Sequence, residues 1–155
     1  MPCLGESVEN AAASAALRGE AETKGYFPPE VGLMLSNWGE LLDLTNGGSY
    51  DIPVAPLAKA TSLPKLRELN LRGCMIGDSG LEALATSTTL KMQKLILARN
   101  DLHPAAGEAI ATAPWAPGLV HLDVSSNEMF GDGGLRALAE STQLTSLKTL
   151  LLEFT

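Results

Sequence analysis

"LRELNLRGC" runs from Leu66 to Cys74, "MQKLILARN" from Met92 to Asn100, and "LVHLDVSSN" from Leu119 to Asn127. These are three copies of one pattern. A degraded copy, "GELLDLTNG" (Gly39 to Gly47), precedes them, and "LKTLLLEFT" (Leu147 to Thr155) follows. Their second apolar anchors are Leu42, Leu69, Leu95, Leu122 and Leu150, at intervals of 27, 26, 27 and 28 residues. A fixed period of this size predicts stacked coils, a solenoid, rather than a closed globule. Solenoids present a wide surface to another macromolecule.

Each unit has two halves. The first reads L-x-x-L-x-L, and strand alternation sends its leucines inward and its other residues outward. Strands are placed near 41–45, 68–72, 94–98, 121–125 and 149–153. The second half carries helix-start signals. Ser79 and Glu82 form an S-x-x-E capping box, and Pro104 suits a first helical position. Asp51 and Asp132 stand before the corresponding segments "IPVAPLAKA" and "GGLRALAES". Inward positions recur at Leu57, Leu84, Ile110 and Leu138, and again at Leu63, Leu90 and Leu144. Ala58, Ala85, Ala111 and Ala139 follow the first set, and small residues there would let helices approach.

The turn after each strand holds Gly47, Cys74, Asn100, Asn127 and Thr155. An amide at this position can donate and accept along the stack, serving backbone groups that have no ladder partner. Cys74, Asn100 and Asn127 are therefore read as a structural ladder. Two residues on, Ile76, Leu102 and Met129 are expected to plug the core.

These residues resemble the ribonuclease-inhibitor-like class of leucine-rich repeat. The resemblance rests on the L-x-x-L-x-L-x-x-[N/C]-x-L core and on "GDSGLEALA" (Gly77 to Ala85) and "GDGGLRALAES" (Gly131 to Ser141). It covers about Trp38 to Thr155. The departures are the weak first copy, Met92 in place of a leucine, and Val124. The resemblance implies an α/β fold: a right-handed solenoid of four to five β-α coils. A curved parallel sheet would line the concave face, helices the convex face, and partners would usually meet the concave side. It is specific for fold and unspecific for function.

Residues 1–37 do not repeat and are read as a leader and cap, with 38–155 as the repeat domain. "SVENAAASAALRGEAE" (Ser7 to Glu22) has helix-forming composition. Val31, Leu33, Leu35 and Trp38 would cover the first coil, because terminal coils expose an apolar face. At the other end Thr155 directly follows a strand. Leu150, Leu151, Leu152 and Phe154 are then expected to leave an apolar sheet edge without a cap. That reading implies either a truncated piece of a longer repeat protein or an end-to-end dimer.

The composition narrows the function classes. A net charge of −7 argues against nucleic acid and against an anionic membrane. Cys3 and Cys74 are too few for a disulfide framework and fit a reducing cytoplasm. The first residues lack the basic start and apolar centre of a signal peptide. No G-x-x-x-x-G-K-[ST] occurs, and "GDGG" (Gly131 to Gly134) lacks the lysine of a phosphate loop, so no cofactor is expected. Two histidines, His103 and His121, and one buried thiol do not make a zinc site.

His121, Asp123 and Ser125 have the residue types of a hydrolase triad. On one strand successive members lie about 6.7 Å apart, with His121 and Ser125 about 13 Å apart. A nucleophile must reach its base at about 3 Å, with the base in the middle. Here the acid is in the middle, so the order fails. The outward residues are better read as contacts for a protein partner: Glu68, Asn70, Arg72, Lys94, Arg99, His121, Asp123 and Ser125. Glu68 and Lys94 are lateral neighbours able to pair, and Arg suits interface contacts. The function expected is a non-enzymatic protein-binding scaffold. Two alternatives remain: a regulator similar to the leucine-rich repeat activators of small GTPases, or a purely structural fragment.

Overall fold

Parallel strands need a long crossover between them, and the 27-residue spacing supplies one. The structure, a computed structural model, describes residues 41–43 and 66–155. The leader and cap at 1–37, the ends of the repeat near Gly47 and Asp51, and Leu57, Ala58 and Leu63 lie outside the described residues. Along the chain come β1 (Leu41–Asp43), β2 (Glu68–Asn70), α1 (Gly77–Ala85), β3 (Lys94–Ile96), α2 (Pro104–Thr112), a 3-10 turn (Ala116–Gly118), β4 (His121–Asp123), α3 (Gly131–Ala139) and β5 (Thr149–Leu151). The strands form one five-stranded sheet in chain order, β1 to β5, with every pair parallel. The fold is an α/β repeat.

The register follows the sequence copies. Leu42, Leu69, Leu95, Leu122 and Leu150 pair in one row across all five strands. Behind the sheet, each copy's three apolar positions fill one layer of core: Leu66, Leu69 and Leu71; Met92, Leu95 and Leu97; Leu119, Leu122 and Val124. All nine are essentially inaccessible to solvent. Met92 and Val124 substitute for leucine without opening the layer, as core swaps of similar volume allow. Leu81, Leu84, Ile110 and Leu138 close each layer from the helix side.

The strands are three residues long, not five, and the cause is local. Asn70 Oδ1 accepts the Arg72 N–H (3.1 Å) and Asp123 Oδ1 accepts the Ser125 N–H (2.9 Å). These side-chain turns bend the backbone two residues past β2 and β4. Bonding between coils nevertheless continues through the bend. Leu71 N–H donates to Ile96 O (2.9 Å), Gly73 N–H to Ala98 O (2.9 Å), Leu97 N–H to Asp123 O (2.8 Å) and Arg99 N–H to Ser125 O (3.0 Å).

Helix starts also differ from the sequence reading. α1 begins at Gly77, so Ser79 and Glu82 fall inside the helix and no side chain caps its N-terminus. Asp78 lies in the first turn, where a carboxylate suits the helix dipole. Its Oδ1 accepts the N–H of His103, the residue before α2 (2.8 Å), which ties one helix start to the next. Pro104 opens α2 as expected. The C-terminal ends are tied in the same direction. Trp115 Nε1–H donates to Leu84 O (3.0 Å) and Ser141 Oγ–H to Ala111 O (2.7 Å), so a side chain of the following repeat caps the preceding helix.

Two packing expectations are corrected. Met129 is 61% exposed, and Phe130 fills the core instead. The fourth copy carries one extra turn residue: Cys74 and Ile76 are two apart, whereas Asn127 and Phe130 are three apart. Ala139 is exposed and does not mediate helix contact. The close approach is made by glycine: a Cβ on Gly107 would lie 2.6 Å from Gly134 O. Backbone on both sides leaves nothing to move aside. Gly107→Ala is therefore expected to lower stability by about 1–3 kcal/mol. Gly118→Ala, whose Cβ would meet only Met92 O at 3.4 Å, should cost clearly less. Urea denaturation midpoints of the two variants check this.

Candidate functional site

The described surface available for function is built by the outer residues of β2–β5 and by the turns after them. The turns after β3 and β4 are held from inside by two amides. Asn100 Nδ2 donates to Leu97 O (2.9 Å) and Ala98 O (3.3 Å) in its own coil, and to Leu71 O (2.8 Å) in the coil before. Asn127 Nδ2 repeats the arrangement with Val124 O (2.7 Å), Ser125 O (3.3 Å) and Leu97 O (3.1 Å). Their oxygens serve backbone donors of the preceding coil: Asn100 Oδ1 accepts from Ile76 N–H (3.3 Å), and Asn127 Oδ1 from Asn100 N–H (2.9 Å) and Leu102 N–H (3.2 Å). Both amides are buried. Cys74, in the same position, is fully buried and lies 3.7 Å from Arg72 O. A thiol is a weak single donor and cannot reproduce the fork of an amide.

The residue before each ladder position has a left-handed backbone: Gly73 (φ 68°), Arg99 (φ 62°), Ser126 (φ 56°) and Phe154 (φ 55°). Three of the four are not glycine. The outward rows are shaped by this bend. In the first row Glu68, Lys94 and His121 are half-buried, and Thr149 is exposed. Lys94 Nζ lies 3.3 Å from Glu68 Oε2. Both are more than a third exposed, so the pair contributes at most about 1 kcal/mol.

In the second row Asn70 is half-buried but Asp123 is only 8% exposed. The outward, solvent-facing reading of Asp123 is therefore corrected: its carboxylate serves its own turn. In the later rows Arg72 and Arg99 are exposed, Ser125 is half-buried, and Ala98 is buried at 1%. Ser125 Oγ accepts the Glu153 N–H (3.2 Å), so it is tied to the next coil.

Other exposed groups are apolar. Met75 and Met129 stand in the turns before α1 and α3, and Leu151, Leu152 and Phe154 lie at and after β5. On the helix side a groove of about 550 Å³ runs between α2 and α3, lined by Glu108, Ala111, Thr112, Arg136, Ala137 and Glu140 among others. Among the described residues no group of three or more His, Cys, Asp and Glu is placed to hold a metal ion. No described helix is long and apolar enough to cross a membrane. His103 Nδ1 stands 3.5 Å from Asp78 Oδ2, far from His121 in the chain and on the helix side of its repeat.

Residues 62–85 and 119–139 match the family model described as Leucine Rich repeat. These two segments are similar to leucine-rich repeats. The two matches coincide with the second and fourth copies, the two that carry a "GD" helix start. Leucine-rich repeats are generally protein-interaction modules and typically non-enzymatic. No curated protein matches the chain.

Sequence reasoning missed Trp115 and Ser141 as ties between repeats. The indole had a signal: a Trp three residues after a helix needs a partner for its N–H once buried. Two outcomes follow from the amide geometry. Asn127→Ala would strip five hydrogen bonds from buried backbone groups and is expected to cost about 3 kcal/mol or more. At the left-handed position, Arg99→Val should destabilise by about 1–2 kcal/mol, whereas Arg99→Gly should be tolerated. Chemical denaturation of the three variants measures both.

Proposed function

We propose that this chain is a non-enzymatic scaffold that binds a protein partner across the outer face of its sheet. The observation that supports this is the construction of that face. Short strands are locked coil to coil by backbone bonds and buried amides. They carry polar and charged side chains that the core does not use. A preorganised surface of this kind loses little entropy on binding. In this reading the repeats form a solenoid of four to five coils of the ribonuclease-inhibitor-like class, with the sheet concave and the helices convex. Residues 38–155 make the repeat domain and 1–37 its leader and cap. The net charge of −7 favours a protein partner over nucleic acid or an anionic membrane, and the cysteine usage favours the cytoplasm.

The proposed contacts are Glu68, Asn70, Arg72, Lys94, Arg99, His121 and Ser125. Asp123 drops out because it is buried. The test uses a photo-crosslinking residue placed at His121 on the strand face or at Glu108 on the helix face. Both are probed in lysate of the source cells. The proposal expects a protein to be captured from His121 and not from Glu108. Exchanging the charges of the ion pair (Glu68→Lys with Lys94→Glu) keeps the pair and the fold but should reduce that capture at least tenfold. Capture from Glu108 alone, unaffected by the exchange, would contradict it.

A further inference from the structure

We propose that the strand face grips an acidic segment of its partner between Arg72 and Arg99, an inference that rests on the sheet face being the docking surface. The bonding pattern brings the two arginines together. Ile96 pairs with Asn70, and Gly73 N–H donates to Ala98 O (2.9 Å), so Arg72 lies beside Ala98 and diagonal to Arg99. Lateral and axial strand spacings put their backbones about 6 Å apart. Both side chains are exposed. Among the described residues neither makes an ion pair, whereas Lys94 is paired with Glu68.

This juxtaposition runs against the composition, which has 18 acids and 11 basic residues. The three acids on the described strands are occupied elsewhere, Asp43 of β1 among them. Glu68 holds Lys94, and Asp123 folds onto the Ser125 N–H. The floor between the arginines is made of Gly73 and Ala98, both buried and with no side chain larger than a methyl. A peptide backbone can approach closely there. On the next coil Ser125 Oγ already accepts from Glu153 N–H, which leaves its own proton to donate.

Each guanidinium can hold a carboxylate through two parallel N–H bonds. Carboxylates at alternate positions of an extended peptide stand about 6.7 Å apart. That matches the separation of the arginine backbones. An extended Glu-x-Glu segment therefore fits this pair, with one carboxylate on each guanidinium.

The test is fluorescence anisotropy on the full chain at low ionic strength. The probes are labelled peptides Gly-Ser-Glu-Ser-Glu-Ser-Gly and the same peptide with Gln for Glu. The Glu peptide should bind at least tenfold tighter than the Gln peptide, and salt should weaken it. Arg72→Gln with Arg99→Gln should abolish the preference. Arg72→Gln alone, at an exposed position without a left-handed backbone, should reduce it at least threefold. Arg136→Gln on the helix side should leave it intact. Equal binding of the two peptides, or a preference that survives in the double variant, would overturn the proposal. So would a phosphoserine peptide that binds far tighter than the Glu peptide. If crosslinking from His121 captures a partner that the double variant still retains, the arginine site fails while the docking surface stands.

Discussion

The carbonyls of Leu71, Leu97 and Val124 sit at a bend, where the sheet ladder ends and the chain turns toward its helix. Buried and unpaired, each would carry a desolvation cost of about 1–3 kcal/mol. Asn100 and Asn127 remove that cost. One amide nitrogen reaches its own coil and the one before, and one oxygen takes backbone donors in return. Because each amide bonds backward, coil placement propagates along the stack. Every other feature of the strand face depends on this. The strand ends, the left-handed residue before each amide and the rows of outward side chains are all fixed relative to a buried bond network.

The same backward logic recurs on the helix side. Trp115 and Ser141 cap the end of the helix before them, while the Asp78 carboxylate receives the N–H at the start of the helix after it. Neighbouring repeats are thus joined at the turn, at both helix ends and through the Gly107–Gly134 approach. In a repeat fold, stability divides into the terms within units and the terms between them. Here directional bonds join the units at the turn and at both helix ends, and the units themselves supply the apolar layers. A surface built on such joints holds its side chains at constant spacing, which a docking face for an extended segment requires.

Much of this was legible in the residues. The leucine anchors repeat at a period no compensating contact could imitate, so strand order, parallel pairing and the register of Leu69 with Leu95 and Leu122 could be read directly. The ladder residues were legible because amide chemistry at a buried turn has few other uses. The errors came where one local interaction outweighed periodicity. An extra turn residue put Phe130 rather than Met129 into the core. Asp123 alternates outward in pattern, yet the turn it builds buries it. Ser79 and Glu82 match a capping box, but the helix starts two residues earlier. Alternation also fails at Ala98, because the backbone bends before the row ends. For the site, residue types identify a polar face and the exposed arginines, and the register anticipates the Glu68–Lys94 pair, but no sequence pattern reveals that Asp123 is already engaged.

Native-state hydrogen exchange followed by NMR tests the amide network most directly. The N–H groups of Ile76, Asn100 and Leu102 bond only to side-chain oxygens of the ladder. They should exchange as slowly as the N–H groups of Leu97 and Arg99, through the same cooperative opening. Fast exchange at Ile76, Asn100 and Leu102, with protection kept at Leu97 and Arg99, would show that the turns open independently of the sheet. The strand face could then not owe its shape to the amides.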